Sequence, residues 1–250
     1  MLHLKRVACI ALVLLLANLA AVYAQETGLS DDQVKARLDF ITGALNAGRP
    51  RAGTWIYGWI AAYSAGAVAG GALAAAHWND TKLVDSVPVR DREFAQDMLV
   101  GGATCALGVI GLVIDPFSPA TAPRKLRPMP ETTPMERLAK LRRAEELLRD
   151  CARREKSGRS ATTHLLNLGV NAAAGVVTAA AFKRPWTDGL VTFAAGEAVS
   201  LLNIFTQPKR ATRDLKKYES GYAGGGTPAL PERSWSLSVW PGGFSFRLQF

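Results

Sequence analysis

The side chains that could do chemistry lie in two stretches with almost no charge, 160–182 and 189–208. His164, Asn167 and Asn171 recur at spacings of three and four, which places them on one face of a helix. Glu197 is the single ionisable residue of the second stretch. Only a few residues separate the stretches, so their helices should be antiparallel neighbours. A carboxyl group at membrane depth marks either a proton or ion site or a hydrogen bond between helices, and both readings stay open.

Other arrangements typical of enzymes are missing from the sequence. Ala-Tyr-Ser-Ala-Gly at 62–66 imitates a serine nucleophile elbow only loosely, because that motif needs a strand–turn–helix and this one lies in an uncharged helix. The glycines of 221–226 lack the Lys-Ser/Thr of a phosphate-binding loop. Cys105 and Cys151 belong to no CxxC or Cys/His cluster. The sequence therefore predicts a non-enzymatic protein with no cofactor and no metal site.

Four stretches are long enough for membrane helices, and three of them contain no charged residue: they are 52–79, 98–114, 160–182 and 189–208. An α-helix needs about 20 apolar residues to cross the hydrocarbon core of a bilayer. A surface helix in water keeps one charged face, which none of these stretches has, so in water all four would need burial on every side. Two amphipathic helices cannot cover four others. We therefore expect the stretches to span a lipid bilayer as helical hairpins.

Small residues recur along the first two of these stretches. Gly58, Gly66 and Gly70 share a face of the first stretch, and Gly101 and Gly108 are predicted to share a face of the second. Helices in lipid associate through close backbone packing over small side chains. These five glycines are therefore the expected helix-packing positions.

One amphipathic helix precedes each of the two hairpins. The first is expected to begin at a Ser30–Gln33 capping box and to end at Gly48. The second is expected to begin at Thr133, with Glu136 closing its capping box. Together with the four spans they define an all-α membrane fold.

The same order of elements occurs twice: an amphipathic helix, an uncharged helix, a polar loop and a second uncharged helix. Asp97-Met-Leu-Val and Asp188-Gly-Leu-Val open the second uncharged helix of each unit. The proline-rich linker between the units should be extended, and the alternating C-terminal residues around Pro-Gly-Gly predict a β-hairpin. The predicted organisation is a leader at 1–24, a first three-helix unit at 25–116, the linker at 117–132, a second three-helix unit at 133–217, a flexible linker at 218–233 and the hairpin tail at 234–250.

Residues 1–24 have a basic start, an apolar run and small residues near their end. This layout is typical of a cleaved secretory signal peptide, and an uncleaved N-terminal anchor is the alternative. After cleavage, four spans would leave most Lys and Arg residues outside, against the positive-inside rule. An uncleaved first span with its N-terminus outside would place them inside. The sequence leaves both orientations open.

These features favour an integral membrane protein of the bacterial cell envelope, in the inner membrane rather than the outer membrane or periplasm. The expected function is a scaffold or interaction protein whose partners are the lipid bilayer and other envelope proteins or a second copy. The net charge of +9 suits a membrane surface; the basic residues are spread without a nucleic-acid motif, so no nucleic acid is expected. One alternative is a small transporter or proton-coupled bundle that uses the Glu197 face. Another is an exported protein that docks to the outer membrane through its last strand.

Overall fold

The structure, a computed structural model, describes residues 29–222 and two strands at 234–240 and 243–249. Residues 34–221 form one compact unit, and the C-terminal strands belong to a second. The predicted leader at 1–24 and most of the predicted linker at 218–233 lie outside the described residues.

Helices dominate the described residues, which confirms the expected class. In chain order the elements are α1 (Asp31–His77), β1 (Thr81–Val84), β2 (Val87–Arg90), α2 (Glu93–Ile114), a 3₁₀ turn (Ser118–Ala120), α3 (Ala122–Leu126), α4 (Pro134–Ser157), α5 (Ala161–Val176) continued by a π-helical turn (Val177–Ala181), α6 (Trp186–Thr206), α7 (Arg210–Tyr222), β3 (Ser234–Trp240) and β4 (Gly243–Gln249).

Four helices are long and apolar enough to cross a membrane. They are called the membrane-length helices below: the second half of α1, α2, α5 with its π-helical turn, and α6. The second half of α1 contacts α2 closely, and α5 packs along α6. Each of the two predicted helical hairpins is therefore present in the structure as a pair of packed helices.

Helix α1 is continuous over 47 residues, so the prediction that a helix ends at Gly48 is wrong. Pro50 lies inside the helix without breaking it. The reason is a buried stripe with alternating spacings close to 3.5 residues, which continues through the Gly-Arg-Pro sequence. Tertiary contacts on both sides thus outweigh the local stop signals. The stripe consists of Val34, Leu38, Ile41, Leu45, Ala52 and Trp55.

The first half of α1 packs with α4 and α7 into a separate layer, called the platform below (residues 34–51, 134–157 and 210–221). At its centre the buried carboxylate of Glu145 accepts a hydrogen bond from the Tyr218 hydroxyl. Arg37 also bonds to Tyr218, and Phe40 packs beside its ring at 6.0 Å between centroids. Burial, and then the bond to Glu145, raise the pKa of Tyr218. A polar cluster contributed by three helices therefore fixes how they meet.

Both predicted capping boxes are confirmed. The Ser30 hydroxyl accepts from the Gln33 backbone at 3.2 Å, and the Gln33 side chain accepts from the Ser30 backbone at 2.9 Å. At α4, Thr133 and Glu136 make the same reciprocal pair, and these backbone bonds lower the pKa of Glu136.

The linker at 117–132 is not extended as expected, because part of it folds into the 3₁₀ turn and α3. Its apolar side chains, among them Phe117, Ala122 and Leu126, are buried. The Phe117 ring packs on Trp55 at 4.9 Å between centroids. Prolines at the first turns start both short helices, a position where the missing N–H costs nothing.

The polar loop between α1 and α2 contains a hairpin that the sequence did not predict. Strands β1 and β2 pair from Thr81↔Arg90 to Val84↔Val87. The two turn residues Asp85 and Ser86 have φ of 50° and 65°, the backbone of a type I′ turn. Asp at the first turn position is the only sequence signal for it.

At the C-terminus, the predicted hairpin is present in its backbone pairing. Strands β3 and β4 are antiparallel, from Ser234↔Gln249 to Trp240↔Gly243. The predicted flexible linker starts too early, since α7 continues to Tyr222. Tyr218 is buried in the platform, which keeps the last turns of α7 helical.

Within each hairpin, the two helices cross at glycines. A Cβ at Gly70 would lie 2.6 Å from the Met98 carbonyl oxygen and 2.7 Å from the Gly102 Cα. Gly66 faces the Cys105 side chain and Gly108 faces the Tyr63 ring at similarly short distances. Three of the five predicted packing glycines therefore lie at the α1–α2 contact.

The structure does not place Gly58 or Gly101 at a close helix contact, since a Cβ at either would meet no heavy atom within 4 Å. Gly102, one residue further and about 100° around the helix, is the crossing residue of α2. The α5–α6 hairpin has an equivalent crossing, where a Cβ at Gly175 would lie 2.5 Å from the Gly189 carbonyl oxygen.

Gly70→Ala is expected to lower the thermal stability of the detergent-solubilised protein, because the new methyl group must separate two helix backbones, at a cost of roughly 1–3 kcal/mol. Gly71→Ala is the matched control: it adds the same atoms one residue away, where the space is open. Control and wild type should melt together. Equal melting temperatures for both variants would show that the crossing is not close packed.

Candidate functional site

Helices α5 and α6 bring Asn171 and Glu197 together, as the sequence predicts. Asn171 is 4% exposed, and its Nδ2 lies 2.9 Å from Glu197 Oε2 and 3.1 Å from Ser200 Oγ. Gly196 makes room for this side chain, since a Cβ there would lie 2.5 Å from Asn171 Oδ1. One amide therefore donates to two acceptors on the facing helix.

The other two predicted site residues are not part of this hydrogen-bonded group. His164 and Asn167 are half-buried, and neither side chain makes a hydrogen bond to the described residues. Asn167 instead lines a cavity between the helices. The helical spacing placed His164, Asn167 and Asn171 on one face of α5, but of these three only Asn171 bonds to α6.

Thr178 and Thr192 form a second polar contact between α5 and α6. The Thr178 side chain is fully buried, and its hydroxyl lies 3.1 Å from the Ala174 carbonyl and 3.3 Å from Thr192 Oγ1. Thr192 Oγ1 donates in turn to the Asp188 carbonyl at 3.0 Å. With Asn171 and Glu197, these bonds make the α5–α6 pair the most polar contact among the membrane-length helices.

All four membrane-length helices line one cavity of about 750 Å³. Its middle includes Asn167, Asn171 and Ser200 together with many apolar side chains, but not Glu197. The Glu197 carboxyl lies behind Asn171, at the helix contact. The carboxyl group singled out by the sequence is therefore placed to hold two helices together and reaches the cavity only through its amide partner.

One end of the cavity is closed by Arg184, which sequence reasoning missed. Its Nη1 lies 2.5 Å from Asp97 Oδ1, and its Nη2 lies 2.8 Å from Asp188 Oδ2. Nη1 also donates to the Glu93 carbonyl at 3.2 Å. The signal was present in the repeated Asp-x-Leu-Val sequences, because Asp97 and Asp188 are their first residues. A single guanidinium thus joins equivalent positions of the two hairpins.

The opposite end carries a second ion pair. Arg154 Nε lies 3.1 Å from Asp115 Oδ1, and the guanidinium also donates to the Asp115 carbonyl at 2.8 Å. Nearby, Trp55 Nε1 donates to the Asn203 carbonyl at 3.3 Å. Asn203 Nδ2 is buried with no hydrogen-bond partner among the described residues. The cavity therefore runs from one ion pair to the other between largely apolar walls.

The described residues contain no group of three or more His, Cys, Asp or Glu side chains that could hold a metal ion. Cys151 is fully buried in the platform, and burial raises its pKa to about 12, so the thiol is protonated and unreactive at neutral pH. The chemistry that the site supports is hydrogen bonding and charge pairing.

No family model, no curated protein and no solved structure matches this chain. What the structure itself defines is a set of four helices long and apolar enough to cross a membrane.

Asn171→Ala is expected to destabilise the detergent-solubilised protein by about 1 kcal/mol, the usual scale of an interhelical hydrogen bond in lipid. The variant leaves Glu197 and Ser200 without their shared donor. Asn167→Ala, one turn earlier on α5, removes the same atoms where no bond is made and should melt like wild type. If both variants lose stability equally, the Asn171 contact contributes nothing specific.

Proposed function

We propose that the chain is an integral membrane protein of the bacterial cell envelope, in which the four-helix bundle anchors the platform as a scaffold for partner proteins. The observation that carries the proposal is where the exposed apolar side chains lie. The membrane-length helices expose large apolar groups such as Val68, Leu107, Leu165 and Val191. In the three platform segments, 34–51, 134–157 and 210–221, Met135 is the only exposed large apolar side chain.

This contrast separates two kinds of surface on one chain. A monomeric soluble protein rarely exposes large continuous apolar patches, whereas lipid requires them. The platform has an ordinary charged surface around a well-buried interior, as expected in water. The outer surfaces of the bundle thus suit hydrocarbon, and those of the platform suit water or a protein partner.

The distribution of charge supports a fixed orientation. Most Lys and Arg residues of 34–221 lie on the platform side of the membrane-length helices, whereas five of them lie at the opposite end: Lys82, Arg90, Arg92, Lys183 and Arg184. By the positive-inside rule the platform faces the cytoplasm in the inner membrane. This orientation favours an uncleaved leader at 1–24 over a cleaved one.

The protein is expected to stay in the membrane pellet after a carbonate wash and to be released by detergent, because four apolar helices would have to leave hydrocarbon. The fractions are followed by immunoblotting against a known peripheral protein as the control. Recovery in the soluble fraction without detergent would contradict the proposal.

Proton or ion movement through the bundle is a second candidate, favoured by the cavity between the four helices and its polar middle. In this candidate, the Glu197 carboxyl itself takes up and releases the proton, and a movement of the Asn171 side chain opens that carboxyl to the cavity. Charge pairs at both ends would then control access. Because Glu197 is bonded to Asn171 and does not line the cavity, the scaffold is the better supported of the two functions.

The second candidate predicts that liposomes containing the wild-type protein dissipate a pH gradient faster than empty liposomes. Glu197→Gln keeps the shape and hydrogen bonding but exchanges no proton, so it should melt like wild type and lose the flux. An internal pH-sensitive dye measures the rate. Wild-type liposomes no faster than empty ones would exclude this candidate and leave the scaffold.

A further inference from the structure

A second cavity of about 870 Å³ lies where the platform meets the membrane-length helices. It is lined from both sides, by platform residues such as Leu45 and Leu148 and by Ala52 and Phe205 of the membrane-length helices. In the proposed membrane this level is the lipid–water interface. The cavity is called the interface pocket below.

Most of the charged side chains that line the interface pocket are basic. They come from four different segments and comprise Arg51, Lys156, Arg159, Lys209, Arg210 and Arg213. The acidic lining residues are only two, Glu155 and Asp214. The pocket therefore has an excess of positive charge on a concave surface. Such a surface has a focused positive potential, which attracts anions.

Both acidic groups are already bonded. Glu155 accepts from the backbone nitrogens of Ala211 and Thr212 at 3.0 and 2.8 Å, and so caps the start of α7. Asp214 pairs with Arg210 at 3.1 Å. Asp214 therefore offsets Arg210, and the charge of Glu155 acts on Arg159, which leaves the other four cations of the pocket.

Four of the basic groups have no acidic partner. In the part of the chain that the structure describes, no carboxylate oxygen lies within 4.0 Å of Arg51, Lys156, Lys209 or Arg213. Arg159 donates to the carbonyls of Gln207 and Phe205, while its Nε is buried with no hydrogen-bond partner among the described residues. The pocket thus has donors and charge left over for a ligand.

We propose that the interface pocket binds the phosphate headgroup of an anionic phospholipid; this rests on the proposed membrane location. Lys and Arg pair strongly with phosphate oxygens. The apolar part of the lining continues to Phe205, a residue that is 68% exposed on the bundle surface and offers a path for an acyl chain. Basic pockets between helices at the cytoplasmic interface are the usual setting for such headgroups.

The test titrates the full chain in neutral detergent with phosphatidylglycerol, phosphatidylcholine or inorganic phosphate and follows the melting temperature. Phosphatidylglycerol should raise the melting temperature, and the other two should have little effect. The triple variant Lys156→Gln, Lys209→Gln, Arg213→Gln should weaken the apparent Kd for phosphatidylglycerol by on the order of tenfold or more. All three side chains are exposed, so the variant should fold.

The matched control also replaces one Arg and two Lys, as Arg142→Gln, Lys216→Gln, Lys217→Gln, all exposed on the platform and outside the pocket. It should bind phosphatidylglycerol like wild type. If control and pocket variants weaken binding equally, the effect is general surface charge and the pocket is not a site. If inorganic phosphate stabilises as much as phosphatidylglycerol, the ligand is a free anion and the lipid assignment is wrong.

If the triple variant cannot be purified, the single variant Lys209→Gln repeats the test. Its Kd for phosphatidylglycerol should be weakened about fivefold. A carbonate wash of each variant keeps the two proposals distinct. Pocket variants that stay in the pellet but lose phosphatidylglycerol binding support the lipid site. A wild-type protein that washes off would overturn the membrane proposal, whatever its lipid selectivity in detergent.

Discussion

The structure depends on one constraint: four long helices carry almost no charge along their length, as the proposed membrane location requires. Every strong ion pair that they contribute to lies near their ends, as with Arg184 at one end and Arg154 at the other. Backbone polar groups are satisfied within the helices, which is what a hydrocarbon environment demands. In the middle of the helices, Asn171 and Glu197 are bonded to each other.

Without a hydrophobic force between helices in lipid, association must come from close packing and a few polar contacts. The two hairpins use the same solution, with Gly70 against Gly102 in one and Gly175 against Gly189 in the other. Contacts between the hairpins differ in kind. Trp55 and Trp59 both donate to the Thr206 hydroxyl at 3.2 and 3.1 Å, and Arg184 joins Asp97 to Asp188. Close backbone packing thus holds the two helices of each hairpin together, and side-chain bonds fix the position of one hairpin relative to the other.

Much of this architecture could be predicted from charge and periodicity, because these patterns indicate which faces of a helix contact water. The four uncharged stretches, the capping boxes and the pairing of Asn171 with Glu197 are examples. Local stop signals were less reliable. Gly48 and Pro50 argued for a helix end, while the buried stripe from Val34 to Trp55 continued past them, and the structure follows the stripe.

Other features depended on knowing rotations or distant neighbours. Gly101 and Gly102 are indistinguishable by type, and only the rotation of α2 against α1 decides which one meets Gly70. The prolines of the linker predicted an extended segment. In the structure the Phe117 ring packs on the Trp55 ring, and the segment lies folded against the bundle. Arg184 lies outside the helical faces that periodicity can assign, so its partners appear only once the hairpins are side by side.

The junction between platform and bundle is where the two halves of the molecule constrain each other. Helix α1 passes through it unbroken, while α6 and α7 are separate helices on either side of Gln207 and Pro208. Gln207 donates to the Glu155 carbonyl and accepts from Arg159, and Glu155 caps α7. Three short polar contacts therefore fix the angle at which α7 leaves α6. The interface pocket opens beside these same residues, so an anion seated there would add a partner to the junction and tie the platform more firmly to the membrane surface.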